Sequence, residues 1–204
     1  EGYLQYKITS TNGGYNMRIF RSENPNGPYT DQNGNSPIYK KGTDDIGGNV
    51  GERLMSNYQW SCNDRPNKAQ GHNSVLMDND GKLFVIYHNK FDDAYGFHEV
   101  RVHQMFINED GWPVASPYEY SGETISKQGY SEKSVTGNYE FIFHTLNQKF
   151  VNEKSADVEK PKSITLNSDG SVSGDLTGKW TMKNGSADMT FTYNNVTYKG
   201  NFIL

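Results

Sequence analysis

The chain has 204 residues and a net charge of -4, and hydrophobic side chains make up 33% of it. This length is enough to bury one large core or two small ones. The charge balance lacks the basic footprint of a nucleic-acid-binding protein, and no apolar run approaches the roughly 18 residues of a membrane span. We therefore expect neither a nucleic-acid partner nor a membrane partner.

The composition favours an all-β protein. The chain holds 21 glycines, 14 tyrosines and 10 phenylalanines, a mixture typical of short strands that are joined by many turns. Its single cysteine, Cys62, excludes an internal disulfide. No signal peptide is visible at the start of the sequence.

Residues 1–120 contain a degenerate repeat of two copies. Each copy has a strand, a loop, a second strand and a turn rich in glycine and proline, and the copies share anchors at nearly one spacing: Gly2 and Gly81, Arg18 and Arg101, Gly27 and Gly111. Each copy predicts an antiparallel sheet of three or four strands. Repeated sheets of this kind are typical of propeller blades, and a β-sandwich with two similar hairpins is the alternative.

A polar stretch, Asp31–Gln70, separates the two copies and predicts a long loop with one or two strands. Long loops on a rigid sheet are often functional. Tyr58 and Trp60 within this loop have aromatic rings that could stack on a flat substrate. Packing of the same rings over the edge of a sheet is an equally good interpretation.

After residue 120 the pattern changes. A polar linker is expected at 121–134, followed by a small antiparallel barrel-like or sandwich domain at 135–204. Lys149–Lys162 is highly charged and reads as a loop or a short helix. The chain ends on apolar residues within a predicted strand, so we expect this domain to be incomplete. Its six strands are predicted at 137–144, 163–166, 171–173, 178–183, 188–193 and 196–203.

Histidines cluster between Gly71 and Tyr120. Four of the five in the chain lie there, namely His72, His88, His98 and His103. Strands are expected at Lys82–His88 and Glu99–Phe106, and side chains alternate between the two faces of a strand. Glu99, Arg101 and His103 therefore share one polar face, beside a predicted turn at Gly71-His72-Asn73-Ser74. This face is the best site candidate in the sequence.

Several of these motifs together resemble the endo-1,5-α-L-arabinanases of glycoside hydrolase family 43. The resemblance rests on Gly71-His72-Asn73-Ser74, Tyr87-His88, the run from His98 to Gln104, Asn108-Glu109-Asp110-Gly111-Trp112-Pro113, and, in the first copy, Gly13–Arg18 and Asn26–Tyr29. The region from Tyr130 onward is similar to the C-terminal β-barrel domain of the longer arabinanases. The resemblance therefore covers nearly the whole chain.

This resemblance implies the last blades of a five-bladed β-propeller followed by a small antiparallel β-barrel domain. It also implies cleavage of α-1,5-linked arabinan or arabino-oligosaccharide with inversion, by an extracellular or periplasmic enzyme. Inversion needs an acid and a base carboxyl group, roughly 6.5–9.5 Å apart. In the family both groups lie on earlier blades, to which no segment of this chain is similar. We therefore expect no catalytic residue in this chain. We also expect a companion chain or segment that carries the first blades.

The other acidic residues are weaker candidates for catalytic groups. Glu1 directly precedes a strand that aligns downstream of the family's acid, which makes it a poor candidate. The pairs Asp44-Asp45 and Asp92-Asp93 lie in polar loops, where solvated surface charge is the common explanation. Asp78 and Asp80 flank Gly81 and are interpreted as hairpin residues.

The resemblance also implies site residues. His72 corresponds to a histidine that helps to hold one calcium ion, largely coordinated by water, in the propeller channel; a bond from His72 to a turn carbonyl is the alternative. Calcium prefers oxygen ligands, so a lone imidazole is a weak site. Arg101, Trp60 and Tyr15 are the candidates for contact with the sugar.

Alternatives stay open for several of these residues. Arg101 could bind a sugar hydroxyl, hold a catalytic carboxylate or form a salt bridge between blades. His88 and His103 are expected to be structural or to lie at the rim. At the level of function, the alternative to part of a glycoside hydrolase is a non-catalytic carbohydrate-binding module or propeller remnant. The missing carboxylates would favour this alternative if the chain were complete. A purely structural propeller has only fold-level support.

Overall fold

A computed structural model describes residues 3–11, 14–38, 50–91, 98–144 and 158–204; for 3–11 and 14–16 the description is of the backbone alone. In these residues the protein is all-β apart from one helix of four residues. Three sheets contain all the strands of the described residues. Within these ranges no helix is both long enough and apolar enough to cross a membrane.

The first sheet contains strands β1 (Tyr3–Thr11), β2 (Gly14–Ser22) and β3 (Glu52–Met55), in that order. Strands β1 and β2 form a hairpin with Tyr3 opposite Ser22 and Thr11 opposite Gly14. Strand β3 pairs antiparallel with β2 across a register shift at Met17/Arg18. The sheet confirms the two strands predicted for the first copy of the repeat, and β3 is a strand of the intervening polar stretch.

The second sheet has the order β4 (Lys68–Met77), β5 (Leu83–Lys90), β6 (His98–Ile107) and β7 (Pro113–Ala115). Strands β5 and β6 confirm the two strands predicted for the second copy of the repeat. Strand β7 was predicted as part of a turn, but it pairs with β6, with Met105 opposite Ala115. Pro113 is tolerated there because it is the first residue of an edge strand.

The third sheet follows the short helix α1 (Glu132–Val135) and has six antiparallel strands. Its outer strands are β8 and β13, and the ring centroids of Phe141 on β8 and Phe191 on β12 lie 5.1 Å apart, so the sheet curls. All six predicted strands are confirmed. They are β8 (Gly137–Phe141), β9 (Lys162–Leu166), β10 (Ser171–Gly174), β11 (Gly178–Met182), β12 (Asp188–Tyr193) and β13 (Val196–Asn201).

Four turns share one sequence pattern and one geometry. The pattern is Asp or Asn, any residue, Asp or Asn, then Gly and a fifth residue, and each Gly has a positive φ between 77° and 81°. In each turn the first residue donates its N–H to the carbonyl of the fifth at 2.9 Å. Glycine is used because it adopts this conformation without a steric cost. The turns are Asp31–Asn35, Asp78–Lys82, Asn108–Trp112 and Asn167–Ser171.

The chain divides into two compact units. The first contains Glu1–Asn73, Tyr87–Arg101 and Ile142–Lys160, and the second contains Ser74–Ile86, Val102–Phe141 and Pro161–Leu204. The division passes through strands β4, β5 and β6. The domains predicted from the sequence, 1–120 and 135–204 with a linker at 121–134, stay a prediction.

Candidate functional site

The Gly71-His72-Asn73-Ser74 motif lies inside strand β4, not in a turn as the sequence suggested. The prediction failed because the motif combines turn-like residues with strand pairing: Ala69 and His72 have positive φ values of 51° and 49°. For residues with a side chain this conformation is strained. The Ala69 N–H is held by Asn57 Oδ1 at 3.0 Å. The distortion leaves the His72 imidazole exposed.

Three of the four clustered histidines lie together in the first unit, one on each of β4, β5 and β6. The ring centroids of His72 and His88 are 6.1 Å apart, and those of His88 and His98 are 4.5 Å apart. Burial of His88 and its two histidine neighbours lower the pKa of its imidazole below 6.5. His88 is therefore neutral at neutral pH, while His72 and His98 face solvent.

Arg101 is fixed by neighbours within the first unit. Its Nη2 donates to Glu99 Oε2 at 2.7 Å, and Arg65 Nη2 lies 3.3 Å from Glu99 Oε1. Both guanidinium groups lie over the Phe91 ring, at 3.8 Å for Arg65 and 4.8 Å for Arg101. The hydrogen bond from Arg101 lowers the pKa of the Glu99 carboxyl. Arg101 thus forms a salt bridge on its own strand, and its contact with a sugar stays a prediction.

The two faces of β6 differ from the simple expectation for an alternating strand. Val100, on the more apolar face, is 68% exposed, whereas the side chain of Arg101 on the polar face is only 16% exposed. His103, on the polar face as well, is buried, and its Nδ1 lies 2.8 Å from the Ser116 carbonyl oxygen. The structural alternative for His103 therefore has direct support.

The aromatic pair of the intervening stretch is buried. Trp60 is 8% exposed and makes an edge contact with Tyr58, with ring centroids 6.2 Å apart. Tyr58 also contacts His144, whose Nδ1 accepts the Ser56 N–H at 3.0 Å. This arrangement agrees with the packing interpretation of Trp60. Stacking of Trp60 on a substrate stays a prediction.

Some predicted residues lie outside the described part of the chain. They are Glu1, Asp44, Asp45, Asp92 and Asp93, and the side chain of Tyr15, whose backbone pairs with Ser10 in the first sheet. Asp78 and Asp80 are confirmed as hairpin residues, because Asp78 Oδ1 accepts the N–H groups of Asp80 at 3.0 Å and Lys82 at 2.8 Å.

The fit of a calcium ion at His72 depends on the donors nearby. Within the described ranges no group of three His, Cys, Asp or Glu side chains could hold a metal ion. The side-chain oxygen of Asn73, next to His72, is buried and has no hydrogen-bond partner in the part of the chain that the structure describes. One imidazole and one amide oxygen do not form a calcium site by themselves, since calcium takes 6–8 oxygen ligands.

Sequence reasoning missed Gln70, which lies between the two strained residues of β4. Gln70 is 1% exposed, and among the described residues neither its Oε1 nor its Nε2 has a hydrogen-bond partner. A buried amide without partners costs free energy. The signal in the sequence that could have indicated Gln70 is its position as a polar residue two places before His72.

Comparison with known proteins gives the same family as the motifs. Residues 117–204 match the C-terminal lipocalin-like domain of glycoside hydrolase family 43, GH43_C. The chain is 36% identical over 214 residues to an extracellular endo-α-(1→5)-L-arabinanase 2 of Bacillus subtilis, covering 98% of this chain. It is 38% identical over 207 residues to an extracellular endo-α-(1→5)-L-arabinanase of Thermotoga petrophila, covering 97% of this chain.

Solved structures agree. The crystal structure of the family 43 protein YxiA from Bacillus licheniformis matches 99% of this chain with a TM-score of 0.84 and 33% identity, and this chain covers 46% of it. The endo-1,5-α-L-arabinanase structure from Thermotoga petrophila matches with a TM-score of 0.79 and 34% identity. The chain spans 43% and 42% of the two curated relatives. The resemblance to family 43 arabinanases is confirmed.

Proposed function

We propose that this chain is part of a glycoside hydrolase that cleaves α-1,5-L-arabinofuranosidic bonds in arabinan with inversion of configuration. The observation that carries the proposal is the match to two curated arabinanases at 36% and 38% identity over nearly the whole chain. In this proposal the described sheets are the last blades of a five-bladed propeller and a C-terminal barrel. The extracellular names of both relatives support an extracellular location.

A companion segment with the first blades would supply the catalytic acid and base. Two features support the assignment of the acid and base to a companion segment. The carboxyl groups of Asp78 and Glu99 are engaged in a turn and in ion pairs. Leu76, Met77 and Val100 are 49%, 67% and 68% exposed, and neighbouring blades would cover such apolar side chains.

In the proposed enzyme, this chain binds and orients the substrate. His72 faces solvent from the distorted start of β4 and is the residue we assign to the site. Arg101, held by Glu99 over Phe91, presents a guanidinium in a fixed orientation toward a sugar hydroxyl. Two carboxyl groups across the scissile bond then move the protons: one protonates the leaving oxygen and the other activates water.

The test is the release of reducing sugar from debranched arabinan. We expect none from the isolated chain, because positioned proton transfer contributes about 10²–10⁴-fold for each group. The chain joined to a segment with the first blades should release sugar, with inverted anomeric configuration by NMR. Robust release by the isolated chain, lost on changing Glu1, would contradict the proposal. Sugar binding without turnover in both samples would favour the non-catalytic carbohydrate-binding alternative.

Calcium is part of the proposal, as an ion bound by His72 and otherwise by water. When bound, it would supply positive charge in the channel. We expect His72→Ala in the joined enzyme to lower activity and melting temperature together, by about 10–100-fold in activity, as for loss of a metal-supporting residue. A chelator should reproduce both effects in the wild type and change nothing further in the variant. His98→Ala, an exposed neighbour, is the control.

A further inference from the structure

The turn between β6 and β7 contacts strand β13, the outer strand of the six-stranded sheet, within the second unit. Asn108 Nδ2 donates to the carbonyl oxygen of Lys199 at 3.2 Å, and Asn201 Nδ2 lies 3.5 Å from the carbonyl oxygen of Ile107. The turn therefore donates a hydrogen bond to β13, and β13 donates one back to the last residue of β6.

Charged side chains reinforce the same contact. Lys199 Nζ lies 2.9 Å from Asp110 Oδ1 and 3.2 Å from Glu109 Oε1, and Lys183 Nζ lies 3.8 Å from the other Glu109 oxygen. Hydrogen bonds to Asp110 and then Glu109 raise the pKa of the Lys199 ammonium. These ion pairs are partly exposed, so each contributes little alone, but together they fix the position of the turn on β13.

Asn108 performs two functions with its two amide atoms. Its Oδ1 closes the turn by accepting the N–H groups of Asp110 at 3.1 Å and Trp112 at 2.9 Å. Its Nδ2 remains available for the strand. A carboxylate could accept the same two bonds but could not donate to a carbonyl.

The other turns of the same pattern show that closure does not require an amide. Asp31 and Asp78 hold the same position and accept the two equivalent N–H groups, at 2.9 and 2.8 Å for Asp31 and at 3.0 and 2.8 Å for Asp78. Asn167 uses its Nδ2 inside its own hairpin, toward Ser171 and Ser173. The amide at Asn108 is therefore explained by its contact with β13.

Strand β13 needs such a contact because it is an outer strand. Outer strands present unpaired backbone groups that can pair with another chain. The Asn108–Trp112 turn occupies the Lys199 carbonyl, and beyond the strand Leu204 exchanges two backbone hydrogen bonds with Thr124, at 2.6 and 3.0 Å. The edge of β13 is thus covered near its end and beyond it.

We propose that the Asn108–Trp112 turn guards the edge of β13 against pairing with β13 of a second copy of this chain. The occupant of a released edge is a second copy because an identical strand supplies a complementary partner. Val196 and Tyr198 on β13 are 49% and 40% exposed. These side chains are at the surface with the turn in place, and release of the turn would add free backbone groups beside them, which favours strand pairing.

The first experiment separates docking from turn closure with Asn108→Asp. The variant keeps the acceptor that closes the turn and loses the donor to Lys199. We expect the β13 amides to exchange hydrogen roughly fivefold to tenfold faster, as for the loss of one hydrogen bond, with β11 unchanged. Light scattering should show an average mass that rises with concentration more steeply than in the wild type. Asp78→Asn, the reverse change in an equivalent turn, should behave as the wild type.

The second experiment tests the ionic part with Lys199→Glu, which places a third negative charge beside Glu109 and Asp110. It should produce the same two changes, and the added change Asp110→Lys should restore the wild-type behaviour. Lys179→Glu, an exposed lysine of β11, is the control for net charge. Lys199→Glu also keeps the proposal testable if Asn108→Asp fails to fold.

Two results would overturn the proposal. One is unchanged β13 exchange in both Asn108→Asp and Lys199→Glu. The other is faster exchange with a mass that stays monomeric at every concentration at which the wild type is monomeric, because the released edge would then have no second copy as its partner.

Discussion

The start of strand β4 and the six-stranded sheet differ in how they accommodate side-chain amides and residues with a left-handed backbone. In the sheet, Asn167 satisfies its amide through Ser171 and Ser173, and the left-handed residues Asn194 and Asn195 lie in a two-residue hairpin turn. In β4, the side-chain amide of Gln70 is buried with no hydrogen-bond partner within the described ranges, and the left-handed residues lie inside a strand. The sheet is regular, whereas β4 stores strain beside the exposed His72. Strain that persists in a folded protein is concentrated at functional sites.

The largest expected effect tests the regular side of this comparison. Trp180 on β11 is 3% exposed, and its Nε1 donates to the Asn167 carbonyl oxygen at 2.9 Å. We expect Trp180→Ala to lower the free energy of unfolding by about 3–5 kcal/mol, because it leaves a cavity and removes one of the two hydrogen bonds that the Asn167 carbonyl oxygen accepts, the other coming from the Gly170 N–H. Chemical denaturation of the chain measures this.

The control for that experiment is Tyr198→Ala. Tyr198 lies on the neighbouring part of the sheet and is 40% exposed. We expect a much smaller loss for this residue. Equal losses for the two variants would mean that the sheet is not organised around the buried Trp180.

The second prediction concerns strand β4, where we expect a smaller change in the free energy of unfolding, in the stabilising direction. Gln70→Met keeps nearly the same volume and removes two buried polar atoms to which no described residue gives a hydrogen bond. We expect the free energy of unfolding to rise by roughly 1 kcal/mol or more, since an unsatisfied buried group costs about 1–3 kcal/mol. Urea denaturation of both proteins under identical conditions measures the difference.

Gln59→Met is the matched control. Gln59 donates to the Asn63 carbonyl oxygen at 2.8 Å and accepts from Lys160, so the same substitution there removes hydrogen bonds and should destabilise. A loss of stability in Gln70→Met would show that an ordered water satisfies the amide, and β4 would then be less strained than we argue.

The smallest effect concerns pH. Burial alone would raise the pKa of Asp31, but hydrogen bonds from the Gly51 N–H and from Asn35 and Asn33 outweigh it and lower the pKa below 3.8. The stabilisation from this carboxylate is thus present above pH 3.8 and is lost as pH falls through the lowered pKa.

We expect Asp31→Asn to be less stable than the wild type at neutral pH, with a gap that closes as pH falls below 3.8. Thermal melts between neutral pH and about pH 2 measure this gap. Asp80→Asn, an exposed residue of an equivalent turn, is the control. A gap that is constant over the whole range would mean that the Asp31 carboxylate is not preferentially stabilised in the fold.

The sequence by itself determined most of the strands and turns of this protein, with β4 and β7 as the exceptions. The six strands of the C-terminal sheet and the hairpin strands of both copies lie where the alternating apolar residues predict, because the period of two in a strand is a local property. The turn at Asn108–Trp112 follows from glycine and a short polar side chain, which satisfy the backbone without help from distant residues. The family resemblance rested on such local runs as well.

Only the tertiary structure decided which faces are covered and which polar groups are paired. Alternation separates Val100 from Arg101 on β6, but the ion pair of Arg101 with Glu99 and its position over the Phe91 ring leave Arg101 the less exposed. The burial of Trp60 and the left-handed backbone of His72 inside a strand were likewise visible only in the structure. Burial, ion pairing and strain depend on residues far apart in the chain, which a local pattern does not contain.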